Sequence, residues 1–567
     1  MIMKTSFRTL LLGCCLMAVT PAFAQEIRGG ADAGRVEGQV RKLELDASSA
    51  PEINVPEVRV EGAPQGADSM RFVLKDLTVE GVTAYNQAEL EQIYAGDIGQ
   101  TITLTRLYEI AGQITRKYRN DGYIITQTVV PTQTIDGGHA RLLVVEGSLD
   151  QILVEGPLGP NSREQIQRIA NHLHASQPLK SDDLERYLLL INDLPGVSAR
   201  SVIGPSATQT GKADIRILLN ERDDYDFFAG VDNYGSQYLG PWQLTGAVVV
   251  NDIFDMNDSF LFQEVASPMD DELYYTYAAY SMPLGSQGTK LVLDYAYSDT
   301  KPGYDLEIFD VEGFATTVGA TLTHPFIRSR NENLTGRLRM EGKTSSTKSE
   351  LGVSTDDDIR SVRLGARYEL LSTFLGTSVN MVDMQVSKGL SILGASGSDD
   401  PDLSRAEGDP TYVKFEAEIT RLQRIVQGFN VLVGVKGQIS PDNLLSSEEI
   451  GFGGMGIGYG RGYDPSEIVG DDGVAAKVEL QYNAHWFDEH IESLQLFTFF
   501  DVASVYNSDA TTPDDEKNSI ASTGVGFRTR LTDAINFDAT AAFPMTEPVA
   551  ANGDRDPRFL FSLTSSF

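Results

Sequence analysis

From about Tyr225 to the last residue, Phe567, apolar and polar positions alternate with a period of two. In Thr411 to Thr420 the apolar set is Val413, Phe415, Ala417 and Ile419, and Lys414, Glu416, Glu418 and Thr420 face the other way. Val474, Ala476, Val478, Leu480 and Tyr482 stand in the same relation to Lys477, Glu479, Gln481 and Asn483. A period of two predicts strands with one apolar and one polar face. A soluble sandwich alternates too, so the connections have to decide. Those near Pro283 to Gln287, Ile327 to Asn333, Ser372 to Gly376, Phe487 to Glu492 and Leu531 to Ala534 are short. Those near Asp299 to Leu306, Thr344 to Asp357, Leu393 to Pro410, Ser440 to Asp472, Ala503 to Ser519 and Glu547 to Asp556 are long. Short turns on one rim and long loops on the other, between strands of about ten residues, predict a transmembrane β-barrel of about sixteen antiparallel strands.

Upstream of the alternation two units share one layout. The first opens with a strand at Phe72 to Val82, continues with helices near Asn86 to Tyr94 and Leu104 to Asn120, and closes with strands near Tyr123 to Val130 and His139 to Glu146. The second opens at Leu149 to Val154, has helices near Ser162 to His174 and Ser181 to Leu194, and closes with strands near Val197 to Ile203 and Lys212 to Asn220. Such β-α-α-β-β units resemble the polypeptide-transport-associated (POTRA) module of outer-membrane assembly and secretion proteins. Ahead of them lies a Gly-, Pro- and acid-rich stretch with one short helical segment, Val36 to Leu45, which reads as a small helix on a flexible tether. The expected organisation is residues 1–24 as signal peptide, 25–68 as plug helix and linker, 69–146 and 147–221 as two POTRA-like domains, and 222–567 as barrel with a long loop at 441–472.

Composition narrows the class. The 567 residues carry 46 Lys+Arg against 80 Asp+Glu, a formal charge of −34 that argues against a nucleic-acid partner. Lys4 and Arg8, the apolar run Thr9 to Val19 and the site Ala22-Phe23-Ala24 form a secretory signal. Cys14 and Cys15, the chain's two cysteines, both lie inside it, so no disulfide framework is expected after cleavage. Past Ala24 no run approaches the roughly 18 apolar residues of a membrane helix.

Enzyme chemistry finds little support. Gly451-Phe452-Gly453-Gly454-Met455-Gly456 matches the dinucleotide fingerprint G-x-G-x-x-G, but strands flank it, and the fingerprint needs a strand and a helix. The six histidines form no H-E-x-x-H, and the acidic runs Asp356-Asp357-Asp358 and Asp399-Asp400-Pro401-Asp402 read as solvated loop tips. No catalytic residue, metal site or cofactor is expected.

The segment Gly458-Tyr459-Gly460-Arg461-Gly462-Tyr463-Asp464 stands apart, in the longest predicted loop. One reading is a flexible surface loop. The sharper one folds the loop into the lumen. Parity of the next hairpin puts Leu494, Leu496, Thr498, Phe500 and Val502 on the lipid face, and so Gln495, Phe497, Phe499 and Asp501 inward. A carboxylate among lumenal aromatics requires a cationic partner, and the Arg461 fork can grip it bidentately. Here the resemblance becomes specific. Arg461-Gly462-Tyr463 looks like the V-R-G-[YF] loop motif of the two-partner secretion transporters (haemolysin secretion/activation family), and Phe499-x-Asp501 looks like their F-x-D-x-G strand motif. In that family the loop arginine pairs with the strand aspartate. Gly460 stands where the family usually has Val, and Ala503 where the motif has Gly. Phe559, Phe561, Leu563 and the terminal Phe567 resemble the assembly signal of outer-membrane barrels.

The resemblance implies a bacterial outer-membrane pore with its POTRA-like domains in the periplasm, which captures a large unfolded exoprotein and moves it to the cell surface. Its other partners would be outer-membrane lipid and, during insertion, the barrel-assembly machinery. The alternative is a barrel-assembly factor or insertase. A passive porin accounts for neither the tether nor the Arg461 loop.

Overall fold

A computed structural model describes residues 30–40, 53–54, 62–209, 211–220, 224–269, 271–350, 352, 354–486, 491–508 and 516–567. The expected signal peptide lies outside the described residues, as do residues 41–45 of the expected plug helix. What is described there is a 3-10 turn, Ala33–Arg35, leading into the helical turn Val36–Gln39.

The first α/β unit packs the helices Gln87–Tyr94 and Leu104–Asn120 on a three-stranded sheet. Leu107, Ile110, Ala111, Ile114 and Tyr118 recur at helical spacing on one face and are buried against Leu77, Val79, Leu142 and Val144. The opening strand expected at Phe72 to Val82 is instead broken. Arg71–Val73 pairs with Thr101–Thr103, whereas Asp76–Glu80 pairs in parallel with the His139 strand. The backbone changes partner between Leu74, bonded to Gln100 and Gly99, and Lys75, bonded to Gly138. Periodicity cannot see a change of partner.

The second unit sets Pro160–Ala170 and Ser181–Asn192 on the strands Ser148–Glu155, Ala199–Pro205 and Lys212–Leu219. Its edge strand carries a further pairing, because Ile53–Asn54 of the tether runs parallel to Ser201–Val202.

From Tyr225–Asp232 to Arg558–Ser566, sixteen antiparallel strands close into one barrel. The first and last strands meet at Phe228 to Asp232 against Ser562 to Ser566, and Phe227 and the terminal Phe567 exchange N–H···O bonds of 3.0 Å in both directions. Val474, Val478, Leu480, Phe500 and Val502 are exposed on the outer wall, and Glu479, Phe497, Phe499 and Asp501 are buried inside, so the period-two pattern resolves into lipid and lumen faces.

Two expectations about the loops are corrected. The segment 344–357 is mostly strand, since Glu332–Lys348 and Ser354–Ser372 run 17 and 19 residues as one ladder. A membrane-spanning strand needs only about 9–11 residues, so this hairpin continues past the bilayer with polar cross-strand contacts such as Thr344 to Asp358 at 2.5 Å. Its polar composition reads as a loop in sequence. Asp356 to Asp358 are accordingly not a loop tip, and Asp357 is buried, accepting from the Ser404 amide at 2.9 Å.

The second α/β unit is seated on the barrel's short turns. Asp255 accepts from the amides of Asn161 and Ser162 at the start of the helix Pro160–Ala170. His172 bonds Ser286 at 2.8 Å, and Arg328 pairs with Asp193 at 2.6 Å. These turns therefore form the rim that faces the α/β units, and the long loops lie on the opposite rim.

Candidate functional site: a double gate in the barrel lumen

Two segments of the chain fill the lumen. The first is residues 30–40. Val36, Val40 and Ala31 pack against Val265, Tyr275 and Ala296 of the inner wall and against Tyr238 and Leu239 of the loop between the strands Tyr225–Asp232 and Gln243–Asn251. The Ser298 hydroxyl donates to the Ala33 carbonyl at 2.7 Å, and Asp32 caps the turn by accepting from the Gly34 amide at 2.8 Å. Gly34 allows the close fit, because a Cβ there would lie 2.9 Å from the Ser447 Cβ. Arg35 is buried and donates to the carbonyls of Ser446 and Glu449 at 2.5 and 3.1 Å and to the Glu449 carboxylate at 3.3 Å. All three acceptors belong to the second segment.

That second segment is the long loop between Ile439 and Asp472. It stiffens into a hairpin, Ile450–Phe452 against Ile468–Gly470, and its tip dips into the lumen. Gly453, Gly454, Gly458 and Gly460 take positive φ, which glycine adopts without steric penalty. Gly460, the departure from the motif's Val, has φ +79°, and a Cβ there would meet Ile520 Cδ1 at 2.8 Å. Gly462 lies flat on the wall, where a Cβ would come within 2.8 Å of the Ser522 Cβ. Tyr463 is buried beyond it, the one proton of its hydroxyl within reach of the carbonyls of Ala521 and Glu547 at 3.2 and 3.1 Å. Ala503, the second departure, puts its methyl into the apolar cluster with Phe452, Tyr459 and Tyr463.

Between these anchors Arg461 meets Asp501. Nε donates to Oδ2 and Nη2 to Oδ1, both at 2.9 Å, and the Arg461 amide adds a bond of 3.2 Å to Oδ2. The guanidinium carbon sits 3.7 Å from the centroid of the Phe499 ring. Arg461 Nη1 also pairs with Glu479 on the adjoining strand Asp472–Ala484. Arg461 and Asp501 are 4% and 0% exposed. In so dry a setting the pair is held by complementarity of charge and geometry, and removing one partner strands the other, at about 3–5 kcal/mol. Phe567 lies elsewhere, on the outer wall at the closing seam.

Sequence reasoning missed Glu479 and the residue on its far side, Arg528, whose Nη1 donates to Glu479 Oε1 at 2.7 Å. Inward parity of Glu479 was visible in the Val474 to Leu480 alternation. Which loop and which strand it would meet was not.

A closed sixteen-stranded barrel carrying α/β units on its short-turn rim, its lumen blocked by its own segments, is the architecture of an outer-membrane protein-secretion pore. The chain belongs to the haemolysin secretion/activation protein ShlB/FhaC/HecB family, whose model matches residues 211–529, and a ShlB-type POTRA domain matches residues 72–147. It is thus a two-partner secretion transporter of the outer membrane, with the POTRA domain on the periplasmic side. The heme/hemopexin transporter protein HuxB of Haemophilus influenzae is 23% identical over 94% of each chain. The outer membrane transporter CdiB of Dickeya dadantii is 23% identical over 77% of this chain and 76% of its own length. The solved structure of CdiB from Escherichia coli superposes with a TM-score of 0.71 at 19% identity, covering 90% of this chain and 94% of that one.

Proposed function

We propose that this chain takes one large, unfolded exoprotein from the periplasm, threads it through the barrel and releases it at the cell surface. The observation that carries this reading is the double occupation of the lumen: residues 30–40 and the Arg461 loop are joined through Arg35 and the Ser446 to Glu449 stem. Both are held mainly by polar contacts and small packed surfaces, which a passing chain can exchange. Arg461 and Asp501, with Gly460, Gly462, Tyr463 and Phe499 in support, act as the lock of the loop, and Phe567 serves as the signal to the barrel-assembly machinery. Residues 69–146 and 147–221 act as the capture domains. A sheet edge binds an extended client through main-chain bonds without demanding a unique sequence. On the second unit that edge is the strand Ala199–Pro205, so a client would take the place of Ile53–Asn54.

A second reading, an assembly factor that opens sideways, is favoured by the seam, whose ladder of five register pairs is shorter than the eight on either side. One experiment separates the two: delete the gene in its host and compare medium, cell surface and outer membrane by mass spectrometry. Loss of one large protein with other barrels intact supports the secretion pore. A general fall in outer-membrane barrels supports the assembly factor and defeats the first reading.

A further inference from the structure

The lock as its motif defines it does not balance. Asp501 and Glu479 are 0% and 1% exposed and both bind Arg461, so two buried carboxylates face one guanidinium from the loop. Burying an unmatched carboxylate is unfavourable. Lys477, the register neighbour of Asp501, holds its ammonium 4.2 Å above the Tyr459 ring. The matching cation comes from the strand Lys517–Thr532. Arg528 donates to Glu479 through Nη1 at 2.7 Å and Nη2 at 3.1 Å, and to Gln495 Oε1 at 2.9 Å.

The wall is built for this second arginine as it is for the first. In register, Phe499 lies beside Gly524 and Phe497 beside Gly526. A Cβ at either glycine would lie 2.5 Å from the neighbouring ring, so the missing side chains are what let both rings lie against the wall. Each ring carries one guanidinium, Arg461 at 3.7 Å over Phe499 and Arg528 at 4.0 Å over Phe497. Glu479 binds both. The Arg528 side chain is 37% exposed against 5% for Arg461, and it lies toward the short-turn rim, on the side from which a client arrives.

We propose that Arg528 is a positioning residue of the gate: it neutralises and orients Glu479 from the periplasmic side, so that Glu479 and Asp501 together hold Arg461 and the loop stays closed. This rests on the reading of the Arg461 loop as a gate. The step is a change of ion-pair geometry and involves no covalent chemistry.

The test uses the full-length protein in lipid vesicles, where Ser466→Cys in the loop supplies a thiol to a chain whose own cysteines precede residue 25. Maleimide labelling of that thiol reads loop opening. Arg461→Ala should label at least about a hundredfold faster, as the loss of a buried ion-pair partner implies, and Glu479→Gln and Arg528→Ala each about tenfold faster, as expected for the loss of a hydrogen bond to a charged group. Arg528→Lys, which keeps the charge but not the planar fork, should fall between, and it stands in if the alanine variant does not assemble. The double variant Arg461→Ala/Arg528→Ala should label no faster than Arg461→Ala alone, the sign of a shared pathway. An Arg528 that merely stabilises the barrel would add its effect in that background, and that result overturns the proposal. Wild-type labelling in Arg528→Ala with fast labelling in Arg461→Ala overturns this inference alone. Wild-type labelling in both overturns the gate reading with it.

Discussion

Arg461 reaches Asp501 across forty residues of sequence with two bonds of 2.9 Å, and it is the pair's burial that gives the contact its weight. An exposed pair of the same geometry contributes about 0–1 kcal/mol. With both groups out of water, Arg461→Ala should release the loop tip at a cost of about 3–5 kcal/mol. Protease cleavage between Gly453 and Ser466 in intact vesicles reads the outcome, and a cleavage rate equal to wild type would reduce the pair to an ordinary contact.

Arg35 makes the same kind of prediction for the first lumenal segment. Arg35→Ala removes the contacts to Ser446 and Glu449 and should free residues 30–40 from the pore. Single-channel recordings in planar bilayers should then show higher conductance and longer openings. Gly34→Val should act in the same direction, since a side chain there collides with Ser447. Unchanged conductance in both variants would mean that the segment does not block ion flow.

The seat of the second α/β unit on the barrel depends on Asp255, which acts as an N-cap supplied by another domain. Asp255→Ala should weaken the first turn of the helix Pro160–Ala170 by about 1 kcal/mol. Hydrogen exchange at Asn161 and Ser162 should accelerate roughly fivefold, while the middle of the helix keeps its protection. Equal acceleration along the whole helix would show that Asp255 holds the domain and not the turn.

A pH response is expected in the first α/β unit. Burial opposes the charge on Glu146, but hydrogen bonds from the Thr83 and Tyr118 hydroxyls and the amides of Ala84 and Thr83 outweigh it and hold the carboxyl below its ordinary range. The stabilisation is therefore complete above the ordinary glutamate value of about 4.3 and is lost as pH falls through the lower folded value. Measured against their intrinsic exchange rates, which themselves fall with pH, the Thr83 and Ala84 amides in the full protein should lose protection over that acid range, and Glu146→Gln should flatten the response. A loss centred above pH 6 would point to another group.

Much of this protein is legible in its sequence, because periodicity is a local property. The helices at 87–94 and 104–120, the alternating strands and the inward parity of Phe499 and Asp501 all follow from which face each residue shares with its near neighbours. Even the Arg461 to Asp501 contact could be anticipated, since a charge pointed at a lumen demands an opposite one. Tertiary structure decided what depends on partners distant in sequence. It split the strand at Leu74 between two ladders, carried polar residues 344–357 as strand because a neighbouring strand was there to pair with them, and laid Ile53–Asn54 on a sheet edge. It also set Arg528 beside Glu479 and Arg35 beneath the long loop. Composition records which residues can bond. Only the closed barrel determines which of them are near enough, and dry enough, for the bond to matter.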